Sequence, residues 1–255
     1  MARLERLRSY PVKGLDGIDV DTAAVRAGGT LAGDREFALL DADGDPLNGK
    51  RTAAVHELTA AFDPESKRLT VETNSGEIVR FALPADRGRA SAWFSDFFGG
   101  EFTLERNDEQ GFVDRLGMGP SVVSTATLEA VASWFDGLTV ESVRRRLRAN
   151  VEVGGVPAFW EDRFVGADAP DFAVGDVRFE GITPCGRCVV PSRDPDTGEA
   201  LEGFREEFIR KRRGSFPEFA DPEAFDHYFA VMILARVPAA SDRPTFDVGD
   251  RVELR

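Results

Sequence analysis

Lys67-Arg68-Leu69-Thr70-Val71-Glu72-Thr73, then Asn74-Ser75-Gly76, then Glu77-Ile78-Val79-Arg80-Phe81-Ala82-Leu83: two strand-like runs flank a three-residue hairpin turn. Upstream, Glu36 to Asp41 is strand-like and ends in the turn cluster Asp43-Gly44-Asp45-Pro46. Downstream, Trp93, Phe94, Phe97 and Phe98 recur at helical spacing. They predict a helix over 90–98 that packs these rings into a core, with Gly99-Gly100 as its stop. The first hundred residues therefore read as mostly β. Glu105 to Pro120 is polar and contains glycine, and reads as the link to a second region.

In that second region Ser124 can cap a helix whose apolar face is Leu128, Val131, Trp134, Phe135 and Leu138. Strands are expected over 150–153, 172–179 and 228–237. Leu201 to Arg213 reads as a charged, exposed helix closed by Gly214, and 246–252 as a tight turn into a final strand. The pattern is a β-rich α+β class, two β-rich units with a few helices, rather than alternating βαβ. The expected boundaries are 1–105 and 106–255. Neither G-x-G-x-x-G nor G-x-x-x-x-G-K-S/T occurs, so a nucleotide fold has no support.

Composition narrows the function classes. The chain has 255 residues, 45 Asp+Glu and 32 Lys+Arg, for a net charge of −13. Lys13, Lys50, Lys67 and Lys211 are its only lysines. Abundant carboxylate with almost no lysine suits a halophilic surface, where salt screens self-repulsion. General nucleic-acid binding is disfavoured, because it needs a positive surface. The longest apolar stretch, Tyr228 to Ala235, is far too short to span a membrane. The N-terminus carries no apolar signal core, so a cytoplasmic protein is expected.

Only two cysteines, Cys185 and Cys188, and two distant histidines, His56 and His227, are present. A disulfide scaffold and a four-ligand Cys/His zinc site are excluded. Pro184-Cys185-Gly186-Arg187-Cys188 leaves three readings open: a redox pair, two structural cysteines, or a metal site using one cysteine. Arg187 is expected to favour a thiolate beside it by opposite charge. Cations recur in short motifs: Tyr10-Pro11-Val12-Lys13-Gly14, Gly33-Asp34-Arg35, Asn48-Gly49-Lys50-Arg51 and Arg144-Arg145-Arg146-Leu147-Arg148-Ala149-Asn150. Ser124-Thr125 adds a helix N-terminus whose free N–H groups suit phosphate. Together these point to an anionic, phosphate-bearing ligand.

Pro-Cys-Gly-Arg-Cys followed by Asp194-Pro195-Asp196-Thr197-Gly198 resembles the signature of MOSC domain proteins. The Lys13 and Arg35 motifs resemble the N-terminal β-barrel domain of the amidoxime-reducing branch. Arg146-Leu147-Arg148-Ala149-Asn150 is similar to that branch's Arg-Phe-Arg-Pro-Asn, and Phe159-Trp160-Glu161-Asp162 to its acidic segment. The resemblance implies an N-terminal β-barrel-like domain followed by a MOSC β-barrel with flanking helices. It implies a molybdenum cofactor (Mo-molybdopterin), with Cys188 as the catalytic cysteine and molybdenum ligand, and with Cys185 beside it. Lys13, Arg35, Arg148 and Asn150 carry over as cofactor contacts, Ser124 and Thr125 as further ones, and Asp34 as the group that orients Arg35. Departures are Gly14 for a serine, Ala149 for the proline, and Val189-Val190-Pro191 where the amidoxime reducers have threonines.

The implied activity is reduction of small N-hydroxylated or related N-oxygenated substrates. Electrons would come from a separate ferredoxin- or cytochrome-type protein, because the chain has no four-cysteine iron–sulfur pattern. The alternative is a sulfur carrier or transferase with a Cys188 persulfide. A third class is a module that stores or delivers the cofactor. Pyridoxal phosphate is disfavoured, because Lys13 is better used on phosphate than in a Schiff base.

Overall fold

The computed structural model describes residues 1–115, 117–238 and 243–255. Its first half contains β1 (Arg3–Ser9), β2 (Ile18–Val20), β3 (Thr22–Ala24), β4 (Phe37–Leu40), β5 (Leu58–Asp63), β6 (Arg68–Thr73), β7 (Ile78–Ala82), α1 (Arg87–Phe98) and β8 (Thr103–Arg106). The second half contains β9 (Ser121–Ser124), α2 (Thr125–Ala132), α3 (Val140–Leu147), β10 (Val151–Gly154), β11 (Phe172–Val174), β12 (Val177–Gly186), α4 (Phe204–Gly214), β13 (Ala230–Arg236), β14 (Thr245–Asp247) and β15 (Val252–Leu254).

The N-terminal strand lies in the large sheet of the second half. Its order is β15-β11-β12-β13-β9-β10-β1-β2. β1 runs antiparallel to both β10 and β2, and only β9 and β10 pair in parallel. The two ends of the sheet meet. Leu4 N donates to Asp250 O at 2.8 Å and Val252 N to Ala2 O at 3.0 Å, around a bridge between Arg3 and Arg251. Seven strands thus close into a barrel, which leaves no long unpaired edge, and β2 hangs on β1. The period of two along each strand sends Val151 with Val153, Phe172 with Val174, and Ile233 with Ala235 into the barrel core.

Outside the barrel, β9 and β13 face a helical layer. Val122 belongs to the barrel core, while its neighbour Val123 packs with Leu128, Val131, Val143 and Phe208. Ser124 caps α2 by accepting the Thr127 N–H at 3.1 Å, and Thr139 caps α3 by accepting the Ser142 N–H at 3.1 Å. α4 is less exposed than its charge suggests. Phe204, Phe208 and Arg212, four residues apart, form a buried stripe. Burying each phenylalanine stabilises the layer by about 1.5–3 kcal/mol. The run 172–179 is a hairpin rather than one strand. Val174 pairs with Val177 across Gly175, whose φ of +56° suits glycine.

The smaller lobe contains the β5-β6-β7 meander and the β4-β8 pair. Phe37, Leu39, Val71, Phe81, Phe94 and Leu104 form its core. Trp93 stacks on Phe97 at 5.4 Å, and α1 ends at Gly99 in the left-handed region with φ of +65°. No helix among the described residues is long and apolar enough to cross a membrane.

Candidate functional site

Three of the cation motifs meet on one carboxylate. Asp34 Oδ1 accepts the Tyr10 N–H at 2.8 Å and the Asn150 amide at 3.1 Å, while Oδ2 pairs with Arg35. The backbone ties them as well. Arg35 N donates to Tyr10 O at 2.7 Å, and Phe37 N donates to Pro11 O at 2.9 Å. Asn150 in turn accepts from Ser121, the first residue of β9, through both N–H (3.2 Å) and hydroxyl (3.0 Å). Both guanidinium groups lie over the Tyr10 ring, Arg35 at 5.0 Å and Arg148 at 4.2 Å from its centroid. Arg35 and Arg148 share an uncommon backbone conformation, with φ of +49° and +59°. A non-glycine residue is held there only when its surroundings over-determine it, which is a recurrent feature of ligand sites.

Asp34, Arg35, Ser121, Arg148 and Asn150 line a cavity of about 450 Å³, within the size range of small-molecule and cofactor sites. Lys13, Asp34, Arg35, Arg148, Asn150, Cys185 and Cys188 all lie on its wall. So do Lys50, Arg115, Arg145, Arg146, Arg187 and Arg193, against the carboxylates of Asp16, Asp34 and Asp114. A strongly acidic chain thus builds a cation-rich hollow. Burial pulls Arg148 below its ordinary value, opposed by the Tyr10 hydroxyl. Burial also lowers Lys13, opposed by its hydrogen bond to Asp114. Asp114 itself is held below the usual carboxylate range. Partial burial opposes this, but the ammonium groups of Lys13 and Lys50 outweigh it.

Cys188 follows the end of β12 and precedes a short 3₁₀ turn at Val190–Ser192. Cys185 lies within β12, next to a register shift against β13. Arg187 donates to Cys185 Sγ at 3.1 Å, to Met232 Sδ at 3.9 Å and to Leu147 O at 3.0 Å, so of the two cysteines it bonds Cys185 rather than Cys188. The segment after Cys188 is clamped by Arg146, buried in the last turn of α3. Its guanidinium donates to Pro191 O at 3.1 Å, to Arg193 O, and to Asp194 at 3.2 Å. The smaller lobe closes the same segment from the other side. A Cβ on Gly49 would meet Val190 at 3.2 Å and His56 Nε2 at 3.3 Å.

Ser124 and Thr125 do not line the cavity. They sit at the far end of β9 from Ser121, roughly 10 Å along a strand, and their polar groups are already engaged. Ser124 caps α2 and its N–H donates to Glu161 at 3.2 Å, while the Thr125 hydroxyl bonds Glu5 and, at 3.0 Å, Glu152. Asp114 and His56, both on the cavity wall, were not assigned to the site from the sequence. Asp114 lies in a polar connector that offered no motif. His56 looked isolated, yet its Nε2 is buried without a partner and its ring bonds the Pro195 carbonyl. Burial lowers its pKa, and that hydrogen bond opposes the shift.

Comparison with known proteins agrees with this architecture. Residues 1–141 match the MOSC N-terminal beta barrel domain, and residues 118–238 match the MOSC domain. A stretch of 169 residues is 31% identical to alanine–tRNA ligase of Caulobacter vibrioides, covering 59% of this chain. The chain spans only 17% of that ligase's length, too little to carry its activity across. The two matching domain models, together with the barrel and its cation-lined cavity, make this chain a member of the MOSC family, whose domain is associated in general with the molybdenum cofactor.

Proposed function

We propose that this chain binds a molybdenum–pterin cofactor and reduces N-hydroxylated or related N-oxygenated compounds, with Cys188 as the protein's ligand to the metal. One observation carries the reading: a single cavity is lined by a thiol, Cys188, and by cations from three separate motifs, Lys13, Arg35 and Arg148. A thiolate is the side chain best suited to a sulfur-ligated redox metal. Guanidinium forks suit a phosphate. Two cavity arginines, Arg187 and Arg193, keep a buried Nε without a partner, which is spare donor capacity for an anion. The residues present fit the group.

When bound, the cofactor would supply two-electron redox chemistry; overall the N-hydroxy group, two electrons and two protons give the reduced nitrogen and water. The chain's own residues do the rest. Asp34 holds Arg35 and Asn150 in place, and Arg35 and Arg148 bind the phosphate. Arg146 fixes the segment that carries Cys188. Leu15, Val55, Leu58 and Val190 give part of the wall an apolar surface that excludes water from the substrate. The electrons come from a separate carrier protein.

Elemental analysis tests this reading on protein made in a host that synthesises the cofactor. About one molybdenum per chain is expected, with loss of the metal and of benzamidoxime reduction in Cys188→Ser but not in Cys185→Ser. Full molybdenum in Cys188→Ser would overturn the ligand assignment. Sulfane sulfur on Cys188 without molybdenum would favour a sulfur carrier instead.

A further inference from the structure

Two ammonium groups of the cavity converge on one carboxylate of the same chain. Lys13 Nζ pairs with Asp114 Oδ1, and Lys50 Nζ with Asp114 Oδ2 at 2.8 Å. The Lys13 side chain is only 9% exposed, whereas Asp114 is 57% exposed. A buried cation is therefore neutralised by an anion that solvent still reaches. The backbone leading to Asp114 is tied down. Thr30 Oγ1 donates to Gln110 O at 2.9 Å, Phe112 N donates to Arg35 O at 2.8 Å, and Lys13 Nζ donates to Phe112 O at 2.7 Å. Gly111 between them has φ of +75°, and a Cβ there would meet Asp34 O at 2.7 Å. Asp114 is thus delivered to the two lysines by a segment fixed to the Asp34–Arg35 backbone.

We infer that Asp114 is a specificity-determining residue, a tethered anion that competes for the Lys13–Lys50 seat and sets the charge a ligand must bring to take it. The inference rests on reading the cavity as the seat of a phosphate-bearing group. A tethered carboxylate acts at an effective concentration of about millimolar or above. A monoanionic ligand offers the two ammonium groups no more charge than Asp114 does and lacks the tether. A phosphate monoester dianion offers twice the charge within the same reach, so it displaces the carboxylate where a monoanion does not. The ligand class selected is a phosphate monoester, whether carried by a cofactor or free.

Titration calorimetry on the full chain, made in a host that lacks the pterin cofactor, tests this with monomethyl phosphate at pH 8 as the dianion and dimethyl phosphate as the monoanion. The expected result is that Asp114→Asn and Asp114→Ala both bind monomethyl phosphate about fivefold more tightly than the parent, the factor one partly exposed ion pair is worth. Dimethyl phosphate should bind measurably only in the variants. Unchanged or weaker monomethyl phosphate binding in both variants, with their thermal midpoints retained, would overturn the inference, because Asp114 would then only organise the lysines. Pterin retention through dialysis, measured on protein from a cofactor-making host, separates the sources. A gain in Asp114→Asn assigns the phosphate to the cofactor, and no gain beside tighter monomethyl phosphate assigns it to a free ester. Molybdenum is not read in the calorimetry, so failure of the Cys188 assignment leaves this result standing.

Discussion

The Asp34 carboxylate accepts the Asn150 side-chain amide at 3.1 Å, across 116 positions of sequence. This contact joins the turn that carries Arg35 to the start of the strand that follows Arg148. Asp34 is buried and acts at once on Tyr10 N, Asn150 and Arg35. Replacing it removes three partners from one place. Asp34→Ala is expected to cost about 3 kcal/mol, as for one partner lost from a buried ion pair. Urea unfolding measures this, and a loss below about 1 kcal/mol would show that water replaces the carboxylate.

A second buried pair holds the helical layer to the barrel. Arg212 and Asp162 are in contact at 0% and 1% exposure, and Arg212 Nε donates to Ala230 O at 3.2 Å. The guanidinium also lies 4.3 Å from the Phe159 ring centroid and 5.2 Å from that of Phe216. Arg212→Met leaves Asp162 buried without its counter-charge and should destabilise by about 3–5 kcal/mol. Adding Asp162→Asn should recover part of that loss. An additive double variant in chemical denaturation would refute the coupling between them.

Glu161 stands beside this pair, fully buried, with Oε1 unpartnered. Burial and the neighbouring Asp162 charge push it well above the usual carboxylate range. The sign follows from proton linkage: a carboxyl raised on folding binds more protons folded than unfolded. Its contribution to stability therefore declines as pH rises from its ordinary value of 4.5 toward the raised one. Glu161→Gln should unfold at a higher urea concentration than the parent at pH 9 and at nearly the same one at pH 5. Equal midpoints at both pH values would mean that the carboxylate ionises freely in the fold.

The net charge of −13 is concentrated outside a cavity that is itself cation-rich. Salt screens carboxylate repulsion at the surface more than it screens buried pairs. Raising potassium chloride from 0.1 to 2 M should stabilise the fold by about 1 kcal/mol, a rise of roughly 2–4 °C in Tm for a chain of this size. A Tm that falls over this range would show that surface ion pairs, not net repulsion, dominate.

Features that depend on neighbours within a turn or a strand were legible in the amino-acid order. The hairpin around Asn74-Ser75-Gly76, the Gly99 stop of α1 and the Ser124 cap of α2 follow from backbone preferences and near-neighbour hydrogen bonds, and each is formed. Residue types with the right chemistry were visible for the same reason: two close cysteines and four short cationic motifs in fixed order. Which of them meet is set by the folded chain. Ser124 and Thr125 looked as suitable as Arg148, but the direction of β9 carries them away and their hydroxyls are spent locally. Asp114 had no motif at all, and its role comes from a connector folded back onto Lys13 and Lys50. Arg212 read as a solvated charge because its aromatic neighbours Phe159 and Phe225 lie far away in sequence or across a turn. Local propensity is a short-range energy, whereas pairing the N-terminal strand with β10 is a long-range one, and the cavity is lined by segments as far apart in sequence as Lys13 and Leu234.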